Sequence, residues 1–520
     1  MRDLGAVLWC AAAGLLAGLP GVAATCESLR EARLPGVTIT RAERMGPGTF
    51  TPPYGSPIPN LPAFCRVAAT LRPTQDSDIK IEVWMPESGW NGRFEGTGNG
   101  GFAGKIAYGT LAGAVRRGAA VANTDMGMAP APGSDVSAFA DHPEKWADWG
   151  WRATHEVTVA SKQLVRAYYG RNAQRSYFAG CSTGGEQALM EAQRYPDDYD
   201  GILAGAAANN RTGVHTSILW NYMATQPPHA YIPEAKLNLL AAAVLDTCDA
   251  TDGLKDGLIA DPRPCRFDPA KLPCHGADQE NCLTAAEVQT ARAIYEGPVN
   301  PRTKEQIYPG VPAGTELDWT HFGPPPGKNE PPPFEAIFKW GLGKDWNWRT
   351  FRFDRDFSAY RAKVGPSVDA MSPDLSAFEA RGHKLIVYHG WADWLVVPGE
   401  ALRYRDAVLA QRQTTGGKRK PADVEREVNQ FYRLFLIPGM AHCGGGPGLN
   451  RFDGLNALVN WVERDIAPDQ IVAVRYEGGK PENKILRQRP ICPYPQVARY
   501  RGTGSLDDAA SFTCVAPERK

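Results

Sequence analysis

Ile79, Ile81, Val83 and Met85 alternate with Lys80, Glu82 and Trp84, the period of two that marks a strand with one buried face. Cys65–Leu71 reads as a second strand, and residues 111–125 as a helix running into the short apolar strand Ala119–Asn123. Over 151–169 the apolar positions Val157, Leu164, Val165 and Tyr168 fall at helical spacing. They stop at Gly170, a residue suited to the left-handed position past a helix end. Next come a strand at Ser176–Ala179, a glycine-rich turn, and a helix from about Glu186 to Arg194, stopped by Pro196. The rhythm resumes much later, with a strand at Leu385–Tyr388, a helix at 399–412, a strand at Tyr432–Ile437 and a helix at 453–464.

Strands alternating with helices predict an α/β domain around a mostly parallel sheet. Residues 36–63, rich in Pro and Gly, read as an irregular arm. Residues 206–380 break the rhythm with four cysteines, a run of Asp, the proline stretches Pro324–Pro326 and Pro331–Pro333, and a dense aromatic cluster. Trp340, Trp346, Trp348, Phe351, Phe353 and Phe357 make up that cluster, most of it expected to be core of the insertion. No internal repeat is visible. The expected organisation is a sheet domain of residues 25–205 and 381–520, interrupted by an insertion at 206–380.

Composition narrows the function classes. The 520 residues carry 57 basic and 57 acidic side chains, so no strongly basic balance supports nucleic-acid binding, and no such partner is expected. The 54 Gly and 43 Pro imply many turns and argue against a helical bundle. Arg2, an apolar run over 4–19 and Val22-Ala23-Ala24 read as an export signal, residues 1–24. The run is too short for the roughly 20 residues a bilayer span needs, so the mature chain is expected to be free of the membrane, secreted or periplasmic. Eleven cysteines support export: Cys10 falls in the leader and ten remain, an even number. Sequence neighbours suggest Cys26–Cys65, Cys248–Cys265, Cys274–Cys282 and Cys492–Cys514, which leaves Cys181 with Cys443.

Gly180-Cys181-Ser182-Thr183-Gly184 matches the G-x-S-x-G turn that holds a nucleophilic serine between a strand and a helix. The glycines make room for a sharp turn, and the helix start aims N–H groups at a developing oxyanion. In α/β-hydrolases the acid and then the base follow the serine along the chain. His389-Gly390-Trp391-Ala392-Asp393 places Asp393 just past one strand, and Pro438–Cys443 places His442 just past another. His389 is expected to pack or hydrogen-bond beneath the Asp393 loop. Cys181 precedes Ser182 and Cys443 follows His442, so a serine within reach of the imidazole brings the two cysteines to disulfide range.

These residues resemble the tannase and feruloyl esterase family of α/β-hydrolases. The resemblance rests on Gly180–Gly185, on His389-Gly390 through Asp393, and on Gly439–Cys443, with the Cys-Ser and His-Cys pairs its most specific part. It implies an α/β-hydrolase sheet domain with a large lid between nucleophile and acid. It also implies Ser182 as nucleophile, Asp393 as orienting acid, His442 as base, and a Cys181–Cys443 bond. Glu186 is a departure, since a basic residue is expected there. The family includes a mono(2-hydroxyethyl) terephthalate hydrolase, so feruloyl, galloyl and terephthaloyl esters all stay open, with a small aromatic ester as the expected partner.

The loop Gly96–Phe102 follows a strand, where a second oxyanion donor belongs. Gly101 is the expected donor, with Gly100 next and Thr183 on the other side. Gly96, Gly98 and Gly101 also spell G-x-G-x-x-G with Asp125 downstream, a dinucleotide-binding pattern. An exported chain meets little such cofactor, so no organic cofactor is expected. Asp249, Asp252 and Asp256, between Cys248 and Cys265, suit Ca²⁺, a hard ion that takes oxygen ligands. The resemblance adds the carbonyls of Leu254 and Leu258 to a structural calcium site. Two readings of other classes fit parts of the chain: a non-catalytic polyphenol-binding protein and an exported dehydrogenase.

Overall fold

The structure, a computed structural model, describes residues 24–102, 104–129, 141–327, 330–415, 417 and 419–517. The export-signal reading, apart from Ala24, lies outside the described residues.

Among the described residues nine strands form the central sheet: β1 (Val37–Met45), β2 (Phe64–Leu71), β3 (Ile79–Pro86), β4 (Arg93–Thr97), β5 (Ala120–Thr124), β6 (Arg175–Cys181), β7 (Gly201–Gly205), β8 (Lys384–Gly390) and β9 (Tyr432–Ile437). Their order across the sheet is β1-β2-β3-β5-β4-β6-β7-β8-β9. The first three pairings are antiparallel and the remaining five parallel. The parallel half is buried on both faces, as parallel sheets are when helices cover them. Val387, Phe178, Ile202, Leu434 and Phe435 there are at most 1% exposed. Helices α1 (Tyr108–Arg116), α2 (Ala153–Tyr169), α3 (Thr183–Arg194), α5 (Pro398–Thr415) and α6 (Gly454–Arg464) belong to this framework, whereas α4 (Arg211–Thr225) opens the stretch 206–380. Among the described residues no helix is long and apolar enough to cross a membrane.

Residues 206–380 contribute no strand to the sheet among the described residues, and β7 pairs directly with β8 across that gap. Their apolar side chains build a core of their own around Leu240, Ala291, Tyr308 and Val311, joined by Val396 and Val397 from beyond β8. The aromatic cluster packs against the main core, with Phe353 and Phe357 touching both cores: Trp340 stacks on Trp146 at 3.9 Å and Phe338 on Trp346 at 4.8 Å.

Two expectations need correction. The arm at 36–63 is not irregular: β1 runs antiparallel to β2 from Val37 opposite Leu71 to Met45 opposite Phe64. Its half-exposed edge position dilutes the alternation by which a strand is read from sequence. The helix after the serine begins at Thr183, not Glu186, because Gly184 and Gly185 are helical. The C-terminal segment folds as two small antiparallel pairs, Ile471–Tyr476 with Ile485–Ile491 and Val497–Tyr500 with Phe512–Val515.

Candidate active site

Ser182 sits between β6 and α3 with φ 64° and ψ −118°, a backbone region that costs about 1–3 kcal/mol and that neighbours must hold in place. Its N–H donates to the Gly205 carbonyl at 3.0 Å, and its carbonyl accepts from Glu186 and Ala208. Close backbone approach explains the glycines. A Cβ on Gly98 would fall 2.4 Å from Gly184 Cα and 2.9 Å from Gly180 Cα, so the three pack backbone to backbone.

The other two residues arrive from the ends of neighbouring parallel strands. Asp393 lies just past β8 and His442 just past β9. A Cβ on Gly390 would meet the Met440 carbonyl oxygen at 2.1 Å, so glycine there lets the two loops touch, and Ala392 N–H donates to that carbonyl at 2.9 Å. His442 Nδ1 lies 2.8 Å from Asp393 Oδ2, and its Nε2 2.8 Å from Ser182 Oγ. Asp393 is fully buried; its Oδ1 accepts from Leu395 and Val396 N–H groups at 3.0 Å each. His389 lies beneath the loop, with Nε2 2.5 Å from the Val396 carbonyl and 3.2 Å from Asp393 Oδ2.

Burial alone would push the Asp393 carboxyl up, but His442 and the hydrogen bonds from His389 and His442 outweigh it and hold the group well below the usual carboxylate range. His442 is the mirror case. Burial would lower the imidazole, yet the Asp393 charge and hydrogen bond win and raise it, with the Arg211 charge opposing. The arrangement can keep a carboxylate against Nδ1 and aim Nε2 at a hydroxyl.

A cavity of about 340 Å³ opens over Ser182 and His442. Gly100 and Gly101 form one side; Val214, Ile218, Phe334, Leu395 and Val396 form apolar walls. Gly101 has φ +57°, and its carbonyl accepts the Thr183 hydroxyl at 2.7 Å. The Gly184 N–H donates to Asn99 O at 2.8 Å, and Asn99 N–H to Gln187 Oε1 at 2.8 Å, so the loop is stitched to α3. Thr183 opens α3, and its N–H is among those with no intrahelical partner. The dinucleotide pattern does not take its usual form. No helix starts at Gly101, since α1 begins only at Tyr108, and the Asp125 carboxylate is buried, with Oδ1 accepting from the N–H groups of Lys80 and Gly127.

Sequence reasoning missed Arg211, His215, Val214 and Ile218 as cavity residues. Their signal is the spacing i, i+3, i+4, i+7, which puts them on one face of α4. Glu186, noted as a departure, is fully buried and pairs with Arg211 at 3.2 Å. Burial pushes its carboxyl up to about 8, with Arg211 pulling back.

Among the described residues there are five disulfides, Cys26–Cys65, Cys181–Cys443, Cys248–Cys265, Cys274–Cys282 and Cys492–Cys514. In the Asp249–Leu258 loop, Asp249 accepts N–H groups from Asp256, Gly257 and Leu258, and Asp252 accepts from Leu254. Asp256 Oδ2 pairs with Arg489, whereas its Oδ1 is buried with no partner. Burial raises the Asp252 carboxyl, eased by the Leu254 N–H, and nearby Asp256 adds to the rise. Three crowded carboxylates with an orphaned buried oxygen fit a hard cation. Arg489 supplies part of the opposing charge.

The family described as tannase and feruloyl esterase matches residues 65–330 and 344–515. An uncharacterised esterase of Xanthomonas campestris is 40% identical over 98% of this chain and 94% of its own. A mono(2-hydroxyethyl) terephthalate hydrolase of Piscinibacter sakaiensis is 33% identical over 88% of this chain and 85% of its own. The crystal structure of feruloyl esterase B from Aspergillus oryzae superposes with a TM-score of 0.84 at 28% identity, covering 94% of this chain and 99% of that one.

Proposed function

The chain belongs to the tannase and feruloyl esterase family and is a carboxylic ester hydrolase; we propose that it is an exported serine esterase cleaving small esters of aromatic acids, feruloyl or galloyl in type, through an acyl-enzyme. The observation that carries this reading is the unbroken line from Asp393 through His442 to Ser182 Oγ, two contacts of 2.8 Å, beneath a cavity with apolar walls. At about 340 Å³ the cavity sits at the low end of ligand clefts, room for one aromatic ring and a short reach beyond it. Relatives named for feruloyl esters and for a terephthalate ester both concern aromatic acids, which supports the acyl class. A terephthalate monoester is the second reading, favoured by the same similarity to the Piscinibacter protein. The five disulfides support export to an oxidising compartment.

In this mechanism His442 Nε2 takes the Ser182 proton as Oγ attacks the ester carbonyl. The tetrahedral oxyanion is met by the N–H groups of Thr183 and Gly101, with Gly100 beside them. The imidazolium then protonates the leaving alkoxide, and the alcohol departs. Water, deprotonated by His442, attacks the acyl-enzyme, and the acid leaves as Ser182 regains its proton. Asp393 holds the imidazole tautomer and stays ionised throughout.

Calcium is proposed as a structural ion held by Asp249, Asp252 and Asp256 with the carbonyls of Leu254 and Leu258. When bound it would supply charge neutralisation to the loop and no chemistry to Ser182.

The test is a substrate panel with p-nitrophenyl, ferulate, gallate and terephthalate monoesters, run on wild type and Ser182→Ala. The expected result is preference for an aromatic acyl ester and a fall in kcat of about 10⁴–10⁶-fold in the variant. Turnover that survives Ser182→Ala, or no labelling of Ser182 by a fluorophosphonate, rejects the mechanism.

A further inference from the structure

The first helix of the insertion touches the nucleophile turn through one buried cation. Arg211, the first residue of α4, is 4% exposed and lines the cavity with Ser182, Gly100 and Gly101. Its Nη2 donates to Thr183 Oγ1 at 2.8 Å and to Glu186 Oε2 at 3.2 Å, and its guanidinium lies over the Trp149 ring at 5.0 Å. An arginine can only donate, so Thr183 Oγ1 must accept from it. A hydroxyl has a single proton, and that proton therefore goes to the Gly101 carbonyl, 2.7 Å away. The sequence of donors runs one way, from Arg211 to Thr183 to Gly101.

Gly101 needs such an anchor. It has a positive φ and no side chain to restrain it, and a Cβ there would meet nothing within 4 Å. A donor for an oxyanion is useful only if it is in place before charge develops. The stitching of Asn99 to α3 fixes the loop two residues earlier; the Thr183 hydroxyl fixes it at Gly101 itself.

We propose that Arg211 is a positioning residue for the ester hydrolysis: it commits the Thr183 proton to the Gly101 carbonyl, and so locks the oxyanion loop against the nucleophile turn. The lock depends on the insertion, because α4 delivers the guanidinium. The inference rests on the reading of Gly101 and Thr183 as oxyanion donors given above. A second consequence follows from charge. The groups that feel Arg211 are Glu186 on α3, Asp369 past the helix Asp356–Val368, Tyr308, Tyr360, His215 on its own helix, and His442. At His442 the cation opposes the imidazolium.

The test compares Arg211→Met, Arg211→Lys and Thr183→Val on a p-nitrophenyl ester, together with inhibition by an aryl trifluoromethyl ketone that forms a tetrahedral adduct on serine. Arg211→Met should lower kcat about 10–100-fold with KM within about threefold, and weaken the ketone by a similar factor. Arg211→Lys, which keeps a donor and the charge, should recover much of the loss. In combination with Thr183→Val, Arg211→Met should add less than about threefold, because both break one relay. The acidic limb of kcat/KM should move to higher pH in Arg211→Met and not in Arg211→Lys. Arg211→Met strands Glu186, so Arg211→Met with Glu186→Gln is measured beside it, with melting temperature as the check on folding. The same kcat loss in that folded double variant supports the proposal. Unchanged kcat, a change confined to KM, full additivity with Thr183→Val, or unaltered ketone affinity overturns it. If wild type turns over but Ser182→Ala does too, the parent reading fails instead.

Discussion

Cys181 and Cys443 are bonded with their Cα atoms 5.9 Å apart across 262 positions of chain, and each is the immediate neighbour of a residue of the serine–imidazole pair. Cys443 takes φ +61° to make the turn, beside Ser182 at +64°. The bond therefore acts on the same two backbone turns that aim Oγ and Nε2 at each other.

Replacing both cysteines with alanine is expected to lower stability and activity together. The chain-entropy account sets the upper end at about 5 kcal/mol for so long a loop. Misplacement of about 1 Å costs about 10²-fold in rate, and kcat should fall by up to that factor. Thermal unfolding and kcat of the folded double variant check this; an unchanged kcat means the bond does not hold the pair.

The pH dependence follows from His442. Its folded value is raised by Asp393, so the free base needed to accept the Ser182 proton is lost at a pH above the ordinary imidazole value. The acidic limb of kcat/KM should lie above about 6.5 in wild type. Asp393→Asn should move it downward and reduce kcat. For stability the signs oppose: His442 contributes below its unfolded value and loses that contribution as pH rises, whereas Asp393 contributes above its unfolded value and loses it as pH falls. Acid unfolding of Asp393→Asn should accordingly be less steep than that of wild type.

Gly98→Ala should be disabling although it adds one methyl group. Its Cβ would meet backbone atoms of Gly184 and Gly180, which cannot swing away as a flexible side chain can. Destabilisation of about 1–3 kcal/mol is expected, with kcat falling more than KM changes. Gly109→Ala, on α1 and with nothing within 4 Å of the added Cβ, is the control for a merely altered glycine.

Chelation of the proposed calcium should lower the melting temperature first and activity second, since the Asp249–Leu258 loop lies outside the residues around Ser182. An ion at a hundredfold excess over its Kd adds about 2.7 kcal/mol to the folded state. Mg²⁺, which wants a tighter octahedron, should restore less than Ca²⁺. Elemental analysis before chelation, followed by melting curves, decides it; no bound calcium and no shift mean that Arg489, the Asp249 hydrogen bonds and the Cys248–Cys265 bond hold the loop without an ion.

Much of this site is legible in sequence because its parts sit at chain-local features. Gly180–Gly184, Asp393 and His442 each follow an apolar strand, and parallel strands end at one edge of the sheet, so chain order and strand ends suffice to bring them together. Cysteine neighbours of Ser182 and His442 carried the long disulfide for the same reason. What sequence did not reveal depends on which surfaces meet. β1 is a half-exposed edge whose pairing with β2, not its own pattern, makes it a strand. The Asp256–Arg489 pair joins residues 233 apart with no motif at either end. Arg211 looks like any helix-opening arginine until α4 is laid against α3. Packing alone then turns it from solvent to the buried Thr183 hydroxyl and the Glu186 carboxylate, where a cation with fixed donors has only one way to direct the proton.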